Sequence, residues 1–300
     1  MIGGNELLTA MKVRISAMDT KGSPRRQPVD LRSTLVFAML SLLAFTFLYP
    51  LYFMILTSLK DKPHYVGNQF GLALESWSLT NYSTMLGQFK ILEKFGNTAY
   101  IVVFSLIIIT VFAVYASYAF AKLPFRGSHV MFLFLLFFTF IPGQVTMIPM
   151  YVVFSRLGLI NNPWSVILSY CSGGIPGGIL LMTAAFRAIP KEVMESAQID
   201  GVTAIGMVPR IVVPMGQVVI IINLIMGFIG YWNDLFLPLL YLQNERSKTV
   251  IVALAGLVSR YANDPTYQMA GMILAIMPVM ALFLSLQRFI IKGLIVGALK

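Results

Sequence analysis

The chain has 300 residues, of which 58% are hydrophobic and only 11% charged, and it carries a net charge of +10. A soluble chain of this length has no room to bury that much apolar surface around one core, so the composition excludes an ordinary soluble enzyme and points to an all-α membrane protein. The basic excess is no sign of nucleic acid: fourteen of the 22 Lys and Arg lie in segments that an even number of spans puts on one side of a bilayer, where positive charge collects.

Residues 1–30 are polar and basic, with no apolar run soon after Met1, so they are expected to form a cytoplasmic tail and not a cleaved signal peptide. The remainder, 31–300, is expected to be one transmembrane domain. A bilayer crossing needs about 20 apolar residues, and the stretches Leu35–Leu56, Thr98–Ala121, Val130–Tyr151, Pro163–Phe186, Ile211–Leu240 and Met269–Ile291 supply six candidates. Six spans put both termini on the cytoplasmic side. The outward loops are then 60–96, 152–162 and 243–268, the first and last long enough for short helices. Thr80 and Asn81 read as turn formers, and Asn263-Asp264-Pro265 as a loop. Trp77 and Tyr82 suit either a lipid interface or a contact outside it.

Prolines interrupt most spans: Pro50, Pro142, Pro149, Pro176, Pro238 and Pro278. Each removes a backbone donor, which membrane-spanning helices tolerate where the irregular backbone is buried or lines a wet cavity. The run from Ser172 through Gly177 to Gly178 makes the fourth span the weakest. It fits either close helix contact through small residues or an unwound part of a solute path. Gln144, Asn223 and Asn233 are polar groups at membrane depth, while Tyr170 and Trp232 offer faces for sugar rings; these are candidate path residues. The single cysteine, Cys171, supports neither an internal disulfide nor a metal cluster.

Between the fourth and fifth spans lies MESAQIDGVTAIGMVPRIVVPM, residues 194–215. On a helical wheel Val193, Met194, Ala197, Gly201, Ala204, Ile205 and Val208 share one arc of about 120°. The opposite arc mixes Glu195, Ser196, Gln198, Asp200 and Thr203 with Ile199, Val202 and Met207, as if a second surface covers it. Asp200-Gly201 is a turn dipeptide, so two short helices meeting at Gly201 fit better than one long one. Pro190 suits a helix start, and Pro214 should bend or end the helix before it. The segment reads as a cytoplasmic helix–turn–helix offered to a partner, with a helix on the lipid surface as the alternative.

Glu195-Ser196-Ala197, three residues from Gly201 and followed by Pro209 and Pro214, resembles the EAA loop of permease subunits in binding-protein-dependent ABC importers. Ser196 stands where that pattern has Ala. TSLK (57–60), NT (97–98), SYAFAKLPFRG (117–127), IPMYVVFSRLGLINNP (148–163), WNDLFLPL (232–239) and residues 268–300 extend the resemblance to the sugar-importing, maltose-type branch. It implies the type I ABC importer permease fold of about six transmembrane helices in a prokaryotic plasma (inner) membrane. A cytoplasmic coupling loop (187–210) would dock on an ATPase subunit through Glu195, Ser196, Ala197, Asp200, Gly201, Pro209 and Pro214, and the tail 293–300 would reach the same interface. The implied partners are a second related permease in a heterodimer, two copies of a P-loop ATPase that hold ATP and Mg, and an extracytoplasmic solute-binding protein facing loop 244–268. The chain itself is then non-catalytic, binds no cofactor or metal, and carries a sugar, whether an oligosaccharide, an acidic saccharide or a glycerol-phosphate-type solute.

Two other classes fit less well. A proton- or sodium-driven transporter keeps carboxylates or histidines at membrane depth. Here Asp234 is the one acidic residue plausibly inside a span, and His64 and His129 fall at span edges. A membrane enzyme would need a motif, and the chain has no His-Glu-x-x-His, no paired carboxylates and no serine signature. Nor does it contain G-x-x-x-x-G-K-[ST], so any nucleotide is bound by another chain.

Overall fold

A computed structural model describes residues 31–71, 77–260 and 264–298, with backbone only at 31–33, 259–260 and 288–298. The N-terminal tail 1–30, Tyr261–Asn263, residues 299–300 and the side chains of Arg32, Arg288 and Lys292 lie outside the described residues, and so do the expectations attached to them. Among the described residues every regular element is a helix. Among the described residues four helices are long and apolar enough to cross a bilayer alone, and the number reaches six if each of two bent pairs is one span.

The chain divides into two units, Met1–Tyr52 and Phe53–Lys300. In the first, the described part is the larger share of α1 (Leu31–Ser58), whose Pro50 lies inside the helix. From Leu35 to Leu48 its large apolar side chains are exposed, as a lipid-facing helix requires.

The second unit begins with two short helices, α2 (Lys62–Gly67) and α3 (Thr80–Gly87). Thr80 and Asn81 therefore open a helix where a turn was expected. Asn81 is buried, and its Nδ2 donates to the carbonyls of Ser58 (2.8 Å) and Lys60 (2.7 Å), so a tertiary partner outweighs its turn preference. Tyr82 Oη lies 2.7 Å from Ser58 Oγ, while Trp77 is exposed. The long α4 (Ile91–Lys122) follows, then α5 (Ser128–Thr139) and α6 (Gly143–Arg156), which meet at 94°. The expected third span, with its two prolines, is thus an elbow. Pro142 precedes α6 with ψ at 129°, and the residue before a proline is pushed out of the helical region.

Helix α7 (Pro163–Arg187) is unbroken. The helix stays wound through 172–178, and of its small residues Gly174 and Gly178 serve close contact. A Cβ on Gly174 would sit 2.4 Å from Tyr231 Oη and 2.6 Å from Ile109, and one on Gly178 would sit 2.9 Å from the Ala113 Cβ. Glycine at these positions lets α4 and the later helices approach α7, the usual way that membrane helices associate. The α4–α7 contact is the most extensive between helices among the described residues.

After α7 come α8 (Lys191–Ile199) and α9 (Ala204–Met215), then α10 (Gln217–Trp232), set at 80° to α9. The expected span Ile211–Leu240 is therefore shorter: residues 211–215 belong to α9, and the helix ends at Trp232. The short α11 (Phe236–Tyr241), α12 (Val250–Arg260) and α13 (Pro265–Ala298) complete the chain. Asp264 Oδ1 accepts from the Thr266 amide (3.2 Å) and hydroxyl (2.6 Å), which satisfies a free donor at the start of α13.

Candidate functional site

Two places depart from plain helix bundling: the arm formed by α8 and α9, and a cavity beside the break between α10 and α11.

Local hydrogen bonding builds the arm. Helix α8 stops because Gly201 adopts φ +79°, a left-handed conformation that glycine reaches without steric cost. The Gly201 amide donates to Gln198 O and the Val202 amide to Ala197 O, both at 3.0 Å. That double bond pattern is the glycine C-cap of a helix, and it satisfies carbonyls that would otherwise be orphaned. Two residues on, Thr203 Oγ1 accepts from the Gly206 amide at 3.2 Å and caps α9. Within α9 the turn Val208–Val212 widens to a π-helix, closed by the Val213 amide on Val208 O. The wider turn brackets Pro209, which has no amide to give. The bend to α10 falls at Gly216, two residues after Pro214. A Cβ there would lie 2.4 Å from the Phe186 ring and 2.8 Å from Val212 O, so only glycine lets the chain turn so tightly beneath Phe186.

One side of the arm is apolar and closed. Met194, Ala197, Met207, Val208 and Val212 are buried with Tyr118, Phe186 and Ile189 in one cluster. The other side is open: Glu195, Ser196, Gln198, Asp200 and Pro209 are exposed, as is Ile199 at 86%. The single-wheel reading needs correction: Val193, expected on the closed face, is exposed, and after Gly201 the phase changes. Ile205, expected on the closed face, is 73% exposed, and Met207, expected on the open one, is fully buried. The left-handed turn re-phases the second helix, so one continuous wheel cannot describe both. At the root of the arm Lys122 Nζ donates to the carbonyls of Arg187 (3.0 Å) and Ile189 (2.5 Å), and the Arg187 guanidinium lies 5.3 Å from the centre of the Phe132 ring.

The cavity, of about 720 Å³, lies between the α5–α6 elbow, the middle of α7 and the α10–α11 break. Tyr170 and Tyr231 stack at 4.3 Å beside it. Tyr170 Oη donates to Asp234 Oδ2 and the Phe236 amide to Asp234 Oδ1, each at 2.9 Å. Asp234 thus ties α7 to the start of α11 and lines the cavity with its carboxylate.

Of the six candidate path residues, Gln144 and Tyr170 line this cavity. The other four do not. Gly177 is exposed elsewhere on α7, and Asn223 lies beside Gly178. Asn233 Nδ2 turns back to Ile229 O at 2.8 Å. Trp232 is 4% exposed; its indole donates to Ala275 O (3.1 Å) and its face is covered by Phe228 (5.2 Å), so no sugar can stack on it here. The Tyr170 face is likewise taken by Tyr231. Sequence reasoning missed Tyr231, which lines the cavity, named Gly177 and not Gly173 from the small-residue run, and treated Asp234 only as an isolated acid. The one available signal was Asp234 itself, a carboxylate at membrane depth.

Residues 109–296 match the family model described as "Binding-protein-dependent transport system inner membrane component". The chain is similar to the arabinooligosaccharides transport system permease protein AraQ of Bacillus subtilis (strain 168), with 28% identity over 93% of this chain and 98% of that protein. It is also similar to the melibiose/raffinose/stachyose import permease protein MelC of the same organism, with 29% identity over 84% and 91%. Among solved structures, a bacterial ABC transporter involved in the import of the acidic polysaccharide alginate shares the fold. Its TM-score is 0.58, at 19% identity, covering 86% of this chain and 96% of that one.

Proposed function

This chain belongs to the family of binding-protein-dependent transport system inner membrane components, and from that premise we propose that it is the transmembrane permease subunit of an ATP-driven sugar importer. A solute-binding protein outside the membrane delivers an oligosaccharide, and a separate ATPase drives its passage. AraQ and MelC, both named for oligosaccharides, support that solute class. Both termini and the α8–α9 arm face the cytoplasm, in keeping with the distribution of Lys and Arg.

The observation that carries the reading is the two-faced arm. Its buried side joins it to the bundle through Phe186 and Val212, and its exposed side offers Glu195, Ile199, Asp200 and Ile205 to a partner. An exposed isoleucine beside carboxylates on a rigid helix–turn–helix suits a cleft on another protein better than open water. Two ATPase copies, each holding ATP and Mg, close on nucleotide and draw this arm toward that of a second, related permease. Because the arm shares its core with α4, α7 and α10, it moves with them as a rigid body and opens the path to the other side. Each state is favoured by its own contacts with nucleotide or solute, which is what makes the cycle directional.

Mild detergent purification of the tagged chain from its host tests this, with mass spectrometry of everything retained and cross-linking from Glu195→Cys. A related permease and a P-loop ATPase should be recovered, the ATPase cross-linked at position 195. Recovery of the chain alone, even after cross-linking, would return the reading to an ion-driven transporter.

A further inference from the structure

We propose that the cavity beside Asp234 is a saccharide subsite carried by this chain itself, and that Asp234 restricts it to neutral sugars. The inference rests on the permease reading above. A volume of about 720 Å³ falls within the range of about 300–1,000 Å³ usual for small-molecule sites. Its lining combines an amide, three phenols and one carboxylate (Gln144, Tyr170, Tyr231, Tyr241 and Asp234) with three small hydroxyl side chains and apolar walls, and among the described residues it includes no Lys, Arg or His. Each Asp234 oxygen already accepts one hydrogen bond, from Tyr170 or from the Phe236 amide, so the carboxylate is held in place. Its remaining lone pairs suit sugar hydroxyl donors, since an ionised carboxylate only accepts. An acidic sugar would bring a second anion against Asp234 with no cation among the described lining residues to pair it, and at membrane depth that repulsion is weakly screened.

Two adjacent glycines on α7 divide the work. Gly174 is used up by close contact with Tyr231 and Ile109, whereas Gly173 is exposed and an added Cβ meets nothing within 4 Å. Gly173 therefore leaves volume over the cavity without serving helix contact, and a larger side chain there intrudes on the cavity and spares the fold. The alginate importer shares this fold at 19% identity, so the fold alone does not choose between neutral and acidic solutes; the lining does.

The test uses the complete complex, both permeases with the ATPase, in nanodiscs without the solute-binding protein. Saturation-transfer NMR, which registers weak contacts, is run with short neutral oligosaccharides and with galacturonate oligomers of the same lengths. The neutral signal should fall about tenfold or more in Gly173→Leu, as expected when a side chain intrudes on a site that encloses its ligand closely. The galacturonate signal, weak in the unmodified complex, should rise several-fold in Asp234→Asn. An unchanged neutral signal in Gly173→Leu, a galacturonate signal equal to the neutral one in the unmodified complex, or no signal from either pool overturns the subsite. Solute-stimulated ATP hydrolysis, measured in parallel with the binding protein present, reports on the permease reading separately. If hydrolysis persists while the NMR expectations fail, the subsite falls and the permease stands.

Discussion

Helix α4 ends against a loop at each side, and the two loops are held by different physics. Near Ile91, the segment 244–249 reads Asn-Glu-Arg-Ser-Lys-Thr and offers no apolar side chain to bury. It is held by its backbone instead. Lys94 Nζ donates to Glu245 O, Asn97 Nδ2 donates to Arg246 O (2.6 Å) and Lys248 O (3.0 Å), and Thr98 Oγ1 accepts from the Val250 amide (2.9 Å). Near Lys122, one lysine pins two carbonyls, but the arm beyond is held by the apolar cluster around Phe186. A loop gripped by its carbonyls keeps its shape whatever its exposed side chains are. An arm gripped by its side chains moves only with the helices beneath it. The first arrangement suits a surface whose side chains do the recognising, and the second suits a lever.

The largest effect should come from removing the arm's anchor. Phe186 is fully buried, and Phe186→Ala should lower stability by about 3–5 kcal/mol, the range for deleting a core aromatic. Thermal unfolding in detergent would read the loss, and hydrogen exchange should rise through 191–207 and stay unchanged at 245–250. The opposite pattern would reverse the comparison.

Thr98→Val, nearly isosteric and 1% exposed, should cost about 1–3 kcal/mol because the buried Val250 amide loses its acceptor. Its exchange signature should be confined to the 245–250 side. The two sites lie roughly 30 Å apart along α4 at about 1.5 Å per residue, so the double variant should show additive losses; strong coupling would mean that the two ends are not independent.

Gly201→Asp should cost about 1–2 kcal/mol for a side chain in the left-handed region. The bundle should remain inserted while solute-stimulated ATP hydrolysis fails. Normal hydrolysis in this variant would remove the coupling role of the arm. The smallest effect is expected for Glu195→Ala. An exposed ion pair is worth about 0–1 kcal/mol, so coupling should weaken without being lost and solute affinity should not change. A change confined to solute affinity would contradict that placement.

Much of this was open to reading along the chain. The apolar runs marked the helices, since each must satisfy its backbone internally in lipid. Asp200-Gly201 marked the turn of the arm, whose capping bonds join residues no more than five apart. Pro142 broke a helix more sharply than its reading implied, while Pro176 did not break one at all. Both are prolines in apolar runs beside the same cavity, but α7 around Pro176 is held by close packing on α4 and Tyr231 through Gly174 and Gly178, whereas Pro142 is followed by Gly143.

What the sequence determined by itself, then, is what short-range physics enforces: membrane class, helix runs, and the capped turn at Gly201. The cavity belongs to the tertiary structure alone. Tyr170 and Asp234 are sixty-four residues apart and meet only because α4, α7 and α10 close together over glycines. Trp232 and Asn233 carried the same polar and aromatic signal as Tyr231 and Asp234, one or two positions away. Which of them faced a cavity was decided by the helix rotation that non-local contacts impose, and no local pattern encodes that rotation.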